Sequence, residues 1–134
     1  MTIKQLNKSY LKELVKLNTL AYKTSSKGVR EYFAYTFKHG KVFGYFIEER
    51  LVGCVGLIVH KKMNYSEIEH LLVHPDFQRK GIGKKLMKFI EKYSKSKLKI
   101  KNIRLDVRIK NKKAIKLYKK AGYKEIGYTM AKGF

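Results

Sequence analysis

At 134 residues, with 44% apolar side chains, ten tyrosines, seven phenylalanines and one proline, the chain is long enough for one packed core and too short for two. That apolar content excludes a disordered chain, and no run of 18 apolar residues is present to cross a membrane as a helix. The formal charge of +22 points to anionic ligands or partners, and a single cysteine excludes an internal disulfide.

Residues 1–12 lack the apolar centre of a signal peptide, so a soluble cytoplasmic protein is expected. Residues 2–6 alternate enough for a short first strand, and Ser9 reads as the N-cap of a helix that turns Leu11, Leu14, Val15 and residues 20–22 inward. Ser25 and Ser26 then cap a second helix, whose stripe of Val29, Tyr32, Phe33, Thr36 and Phe37 keeps helical spacing up to Gly40. Residues 42–48 and 51–60 are β-branched and aromatic, and Glu49 and Arg50 between them form the turn of a hairpin. Gly44, Gly53 and Gly56 mark bulges or close packing within it, and Cys54 lies in an apolar run that suits a buried side chain better than a nucleophile. Residues 66–74 form the next strand, with Glu67 and Glu69 on one face and His70 on the other; Pro75 stops it.

The helix over residues 81–97 buries Ile82, Leu86, Phe89, Ile90 and Tyr93, and its other face is lysine. Residues 102–109 alternate strictly, with Ile103, Leu105, Val107 and Ile109 on one face and Arg104, Asp106 and Arg108 on the other. Strand, helix and strand make a βαβ unit, so residues 66–74 and 102–109 are expected to run parallel. Asn111 opens a last helix with Ala114, Ile115, Leu117, Tyr118 and Ala121 inward, Gly122 takes the left-handed position at its end, and residues 123–130 form a final strand. The class is α/β with a mixed sheet.

Residues 71–87 carry the chemistry. An apolar strand gives way to a turn, two glycines and a helix start, where the backbone N–H groups of residues 78–83 have no intrahelical acceptor and face outward with the positive end of the helix dipole. Arg79, Lys80, Lys84 and Lys85 add cations there, each at a cost of about 0.3–1 kcal/mol that a bound phosphate would reverse. The alternative is an ordinary strand-to-helix turn in which Gly81 and Gly83 serve only backbone geometry.

Gln78-x-x-Gly81-x-Gly83 resembles the pyrophosphate signature of the GNAT superfamily of acyl-CoA-dependent N-acetyltransferases. The run from Asn111 to Tyr123 resembles a second segment of that family, N-x-x-A-x-x-L-Y-x-x-x-G-F, with tyrosine at its end, and the two lie 33 residues apart from Gln78 to Asn111. The resemblance implies one GNAT-like domain over residues 1–134, with a mixed central sheet of about six to seven strands flanked by four helices. It implies acetyl-CoA as co-substrate, no metal, and direct transfer of the acetyl group to a primary amine on a protein or a small molecule.

By the same resemblance the pyrophosphate lies on Gln78, Arg79, Lys80, Gly81, Ile82, Gly83 and Lys84. The pantetheine arm runs along the backbone of Leu71, Leu72 and Val73, beside Asn111 and Tyr118. Tyr118 is implied as the general acid, with a packed aromatic as the alternative. Glu69, Glu67 or Asp106 is implied as the base, and an ion pair with Arg104 and Arg108 is the alternative for Asp106. Tyr32 and Tyr35 fall on the helix that walls the acceptor site in the family. The family carries a further strand after the one read at residues 123–130, where only four residues remain here.

Charge is unevenly spread, since residues 79–120 hold 18 Lys or Arg against Glu91 and Asp106. Coenzyme A uses part of this field. The remainder is either a solvated lysine face or a contact for RNA or the ribosome, and the rival reading is a nucleic-acid-binding module on the same scaffold. A second copy of the chain is expected to cover the sheet edge near Asp106 and Tyr123.

Overall fold

A computed structural model describes residues 1–22 and 27–134, so the caps read at Ser25 and Ser26 lie outside the described residues. Strands β1 (Thr2–Gln5), β2 (Gly40–Ile47), β3 (Arg50–His60), β4 (Tyr65–Val73) and β5 (Asn102–Arg104) form one sheet in that order. The first three pairings are antiparallel and β4 with β5 is parallel, as the βαβ unit requires. Helices α1 (Leu11–Tyr22) and α2 (Val29–His39) cover one face, and α3 (Ile82–Ser96) covers the other, with α4 (Lys112–Lys120) after β5.

The sheet therefore has two cores. On one face Phe43, Tyr45, Val52, Val55, Leu57 and Ile68 meet Ile82, Leu86 and Ile90 of α3. On the other, Val42, Phe46, Cys54 and Leu72 meet Leu14 and Leu17 of α1 and Phe33 of α2. Each fully buried Leu or Phe contributes on the order of 1.5–3 kcal/mol, which is why the helices with apolar stripes become the layers.

Five strands stand among the described residues where six to seven were expected. Residues 123–130 keep their alternation but make no strand: Ile126, Tyr128 and Met130 are 74%, 86% and 92% exposed, with no apolar face for the pattern to cover. β5 ends at Arg104 rather than residue 109, because its partner bends away beyond Glu67. Leu20 and Leu117, read as inward, are 41% and 56% exposed. The hairpin turn is Glu48 and Glu49, both with positive φ (48° and 66°), and Arg50 already pairs with Ile47.

The bend in β4 is a bulge. Cys54 pairs with Leu72 and Gly56 with Glu69, so Val55 alone faces His70 and Leu71, and His70 takes a left-handed φ of 52°. Side chains change sides there. Ser66 and Ile68 face α3, where the Ser66 and Ser94 hydroxyls meet at 2.6 Å, whereas His70 and Leu72 face α1 and α2. His70 thus shares a face with Glu69, against the simple alternation that set them apart, since both meet the same residue of α2, Tyr32. Burial still alternates residue by residue along β4, which is how the bulge stays hidden in the sequence.

Candidate active site

Pairing of β4 with β5 stops at Glu67 and Arg104. Beyond it the two backbones diverge, and a cleft of about 310 Å³ opens between Ile68, Glu69, His70 and Leu71 on one wall and Leu105 and Asp106 on the other, closed by Tyr118 of α4 and by Asn18, Tyr22 and Tyr32 of α1 and α2. Three of the groups expected to carry chemistry, Glu69, Asp106 and Tyr118, line this one space. Glu67 does not, because its carboxylate is held 2.9 Å from His60 Nε2.

Glu69 accepts a hydrogen bond from the Tyr32 hydroxyl. Burial pushes its carboxyl above the ordinary carboxylate range, the Tyr32 bond pulls it back, and the Glu67 and Asp106 charges push it up again. Asp106 is exposed at the mouth, and no basic side chain among the described residues comes within 4.0 Å of it. The alternative reading of Asp106, an ion pair with Arg104 and Arg108, is not what forms: the Arg104 guanidinium instead lies 3.9 Å from the centre of the Tyr65 ring. Burial raises the Tyr118 phenol, so it is a protonated donor at neutral pH. Burial also raises Tyr22, with Tyr118 beside it as the next cause.

Tyr118 is fixed by the end of its helix. Gly122, at φ 97°, allows the Tyr123 amide to reach the Tyr118 carbonyl at 3.0 Å and its own amide to reach Lys119 at 3.0 Å. Tyr123 then packs edge-on to Tyr118 and donates to Glu91 Oε2 at 2.6 Å, tying α4 to α3. At the other end Asn111 accepts from the Ala114 amide at 3.2 Å and so caps α4 with the side chain expected to meet pantetheine.

The loop before α3 is built for backbone exposure. Arg79 and Gly81 both have positive φ (61° and 80°), and a Cβ on Gly81 would meet nothing within 4 Å, which leaves open space before the first-turn amides. Gln78 Nε2 donates to the Val73 carbonyl at 3.0 Å, bracing the loop against the end of β4. Ile82 is 4% exposed and anchors the helix in the core, so only its backbone faces the loop. Lys80 and Arg50 both lie over the Phe77 ring, at 5.4 and 5.3 Å. Arg79 and Lys84 are exposed, and Leu72 is buried among α1 and α2, leaving Leu71 and Val73 on the α3 side.

Loop, diverging strands and terminal helix occur here in the order of the two sequence motifs, and a sequence model of the acetyltransferase (GNAT) family matches residues 8–123. The chain belongs to the GNAT family. An uncharacterized N-acetyltransferase of Methanocaldococcus jannaschii is 30% identical over 92% of this chain and 61% of its own length. Spermidine N(1)-acetyltransferase of Vibrio cholerae is 30% identical over 65% of this chain and 50% of its own. This GNAT chain thus spans about half to three fifths of those two relatives. Among solved structures, the ribosomal-protein-S18-alanine N-acetyltransferase of Escherichia coli superposes with a TM-score of 0.81 at 23% identity, covering 94% of this chain and 79% of that one.

Sequence reasoning on the GNAT pattern left out Asn18 and Tyr22, which enter the cleft from α1. Their spacing of four residues on one helix was a usable signal, but it reads equally as core.

Proposed function

We propose that the chain is an N-acetyltransferase that moves the acetyl group of acetyl-CoA directly to a primary amine in the cleft between β4 and β5. The observation that carries this reading is the meeting, in one cleft, of a carboxyl group raised by burial and a protonated phenol. In the reaction Glu69 takes the proton of the incoming ammonium and the amine nitrogen bonds to the thioester carbonyl carbon. The carbon–sulfur bond breaks as the departing thiolate takes the Tyr118 proton, and the nitrogen, still carrying one proton too many after attack, gives it up to solvent, from which the Tyr118 phenolate recovers its own. Acetyl-CoA supplies the activated acyl carbon; the amides of residues 79–83 and the cations Arg79, Lys80 and Lys84 hold its phosphates, the Gln78 amide being bonded to the Pro75 carbonyl, and the free edge of β4 past Glu67 receives the pantetheine arm.

Asp106, exposed at the mouth and without a basic partner among the described residues, attracts a cationic amine into a chain that otherwise repels cations. A protein α- or ε-amino group fits best, the partner being bound to RNA through the lysines of α3 and α4, with a small amine such as a polyamine as the competing acceptor. The buried thiol of Cys54 suits a reducing cytoplasm, and a second copy fits the open edge beyond β5.

Thiol release from acetyl-CoA, measured with alanyl peptides, lysyl peptides and spermidine, tests the reading. Tyr118→Phe is expected to lower turnover by about 10²-fold or more with calorimetric acetyl-CoA affinity nearly unchanged, since the proton is needed only in the transition state. Gly81→Glu is expected to abolish that affinity through backbone strain and like charge. Full turnover in the first variant, or full affinity in a folded second, would remove the assignment concerned.

A further inference from the structure

We propose that Tyr32 is the positioning residue of the acceptor site, its hydroxyl holding the Glu69 carboxylate so that the second oxygen is aimed at the incoming amine. The inference rests on Glu69 as the base.

The bond spans 37 positions of sequence, from the exposed side of α2 to the bulged strand. It is not a chance surface contact, because everything behind Tyr32 is fixed. Its ring lies against the His70 imidazole with centroids 4.0 Å apart. The same imidazole stacks on Phe33, centroids 3.9 Å apart and planes 15° from parallel. Thr36, one turn further along α2, places its hydroxyl oxygen 2.8 Å from His70 Nε2 and 3.1 Å from the Tyr32 carbonyl. A threonine has one proton to donate, so when it donates to Tyr32 it accepts from His70, which fixes the imidazole as the Nε2–H tautomer. Three residues of α2, Tyr32, Phe33 and Thr36, therefore clamp one bulge, and the bulge is what brings Glu69 and His70 to the same side.

A carboxylate bound through one oxygen by a fixed donor has little rotational freedom, and its free oxygen is pre-aimed. The groups facing Glu69 are Glu67 on its own strand, held by His60; Asp106 past β5; Tyr118 of α4; Tyr22 of α1; and the neutral His70. Tyr32 faces it from α2 and donates to the charged carboxylate; the Glu67 side chain hydrogen-bonds the Glu69 carboxyl in its protonated form, which pushes it up.

The test begins with the protein alone. Carbon-13 NMR titration of the Glu69 carboxyl, assigned through Glu69→Gln, is expected to move to a midpoint about one pH unit higher in Tyr32→Phe, because the charged form loses its donor. The acidic limb of the rate profile, measured by thiol release with spermidine and with an alanyl peptide, is expected to move the same way. Tyr32→Phe added to Glu69→Gln is expected to cost no further rate. An unmoved midpoint, or a second loss in the double variant, would overturn the positioning role. A moved midpoint with an unmoved limb would instead remove Glu69 as the base, and Tyr32's role with it.

Discussion

His70 shows how one residue couples packing to pH. Stacked between α2 aromatics and bonded to Thr36, it is held neutral, its pKa pushed down to about 4 by burial. The unfolded imidazole titrates near about 6.5, so below that value the unfolded chain binds a proton that the folded one refuses. Stability is therefore complete above about pH 6.5 and falls as pH drops towards 4, by roughly 3 kcal/mol in all. Glu69 acts with the opposite sign, its raised pKa favouring the protonated folded form, so the two must be separated. Melting temperatures of the wild type and His70→Gln, compared at pH 7.5 and 5, are expected to show the wild type losing more on acidification. Equal losses would mean that the imidazole titrates freely. None of this was legible from His70 itself, whose face depends on the bulge; Tyr118 was singled out by the segment from Asn111 to Tyr123 and Glu69 and Asp106 by their places on the strands of the fold it implies, and all three line the one cleft.

At the scale of elements, the periodic ones came through and the irregular ones did not. The stripe of α2, the run of α3 and Gly122 after α4 each follow from a pattern that local chemistry enforces. The bulge at His70 is invisible because buried and half-buried residues keep alternating while the faces exchange. The alternation over residues 123–130 misled for the reverse reason: a period of two describes a strand only where a ladder and a face exist. The β2–β3 hairpin offers an independent check, since two glutamates occupy left-handed positions that suit Asn-Gly. Glu48→Asn with Glu49→Gly is expected to stabilise by about 1 kcal/mol and raise the melting temperature by about 3–5 °C. No gain in calorimetry would mean that the turn carries no strain.

For the whole molecule the open question is what the cations do. Lys95, Lys97, Lys99 and Lys101 are exposed at the end of α3 and beyond, away from the loop at its start. If they dock RNA, affinity for a single-stranded oligonucleotide falls with salt by a log–log slope of about 0.7 per phosphate neutralised, and replacing all four by glutamine flattens that slope. Acetyl-CoA affinity is expected to change little in the same variant. A gel shift with no binding at low salt would return them to a solvated face. The two walls of the cleft also differ in a way that bears on how it works. β4 is anchored on both sides, by Ile68, Leu71 and Val73 against the α3 core and by Leu72 against α1 and α2. The opposite wall leaves its three-residue ladder at Arg104, keeps Leu105 and Val107 half-buried, and is exposed at Asp106 and from Arg108 to Asn111. Local unfolding is cheap where few apolar contacts are lost, so under the proposed reaction the base lies on the well-anchored wall and the amine is met by the wall that opens at lower cost. On that proposal, substitutions along the exposed wall would change the acceptor while leaving the acyl transfer itself in place.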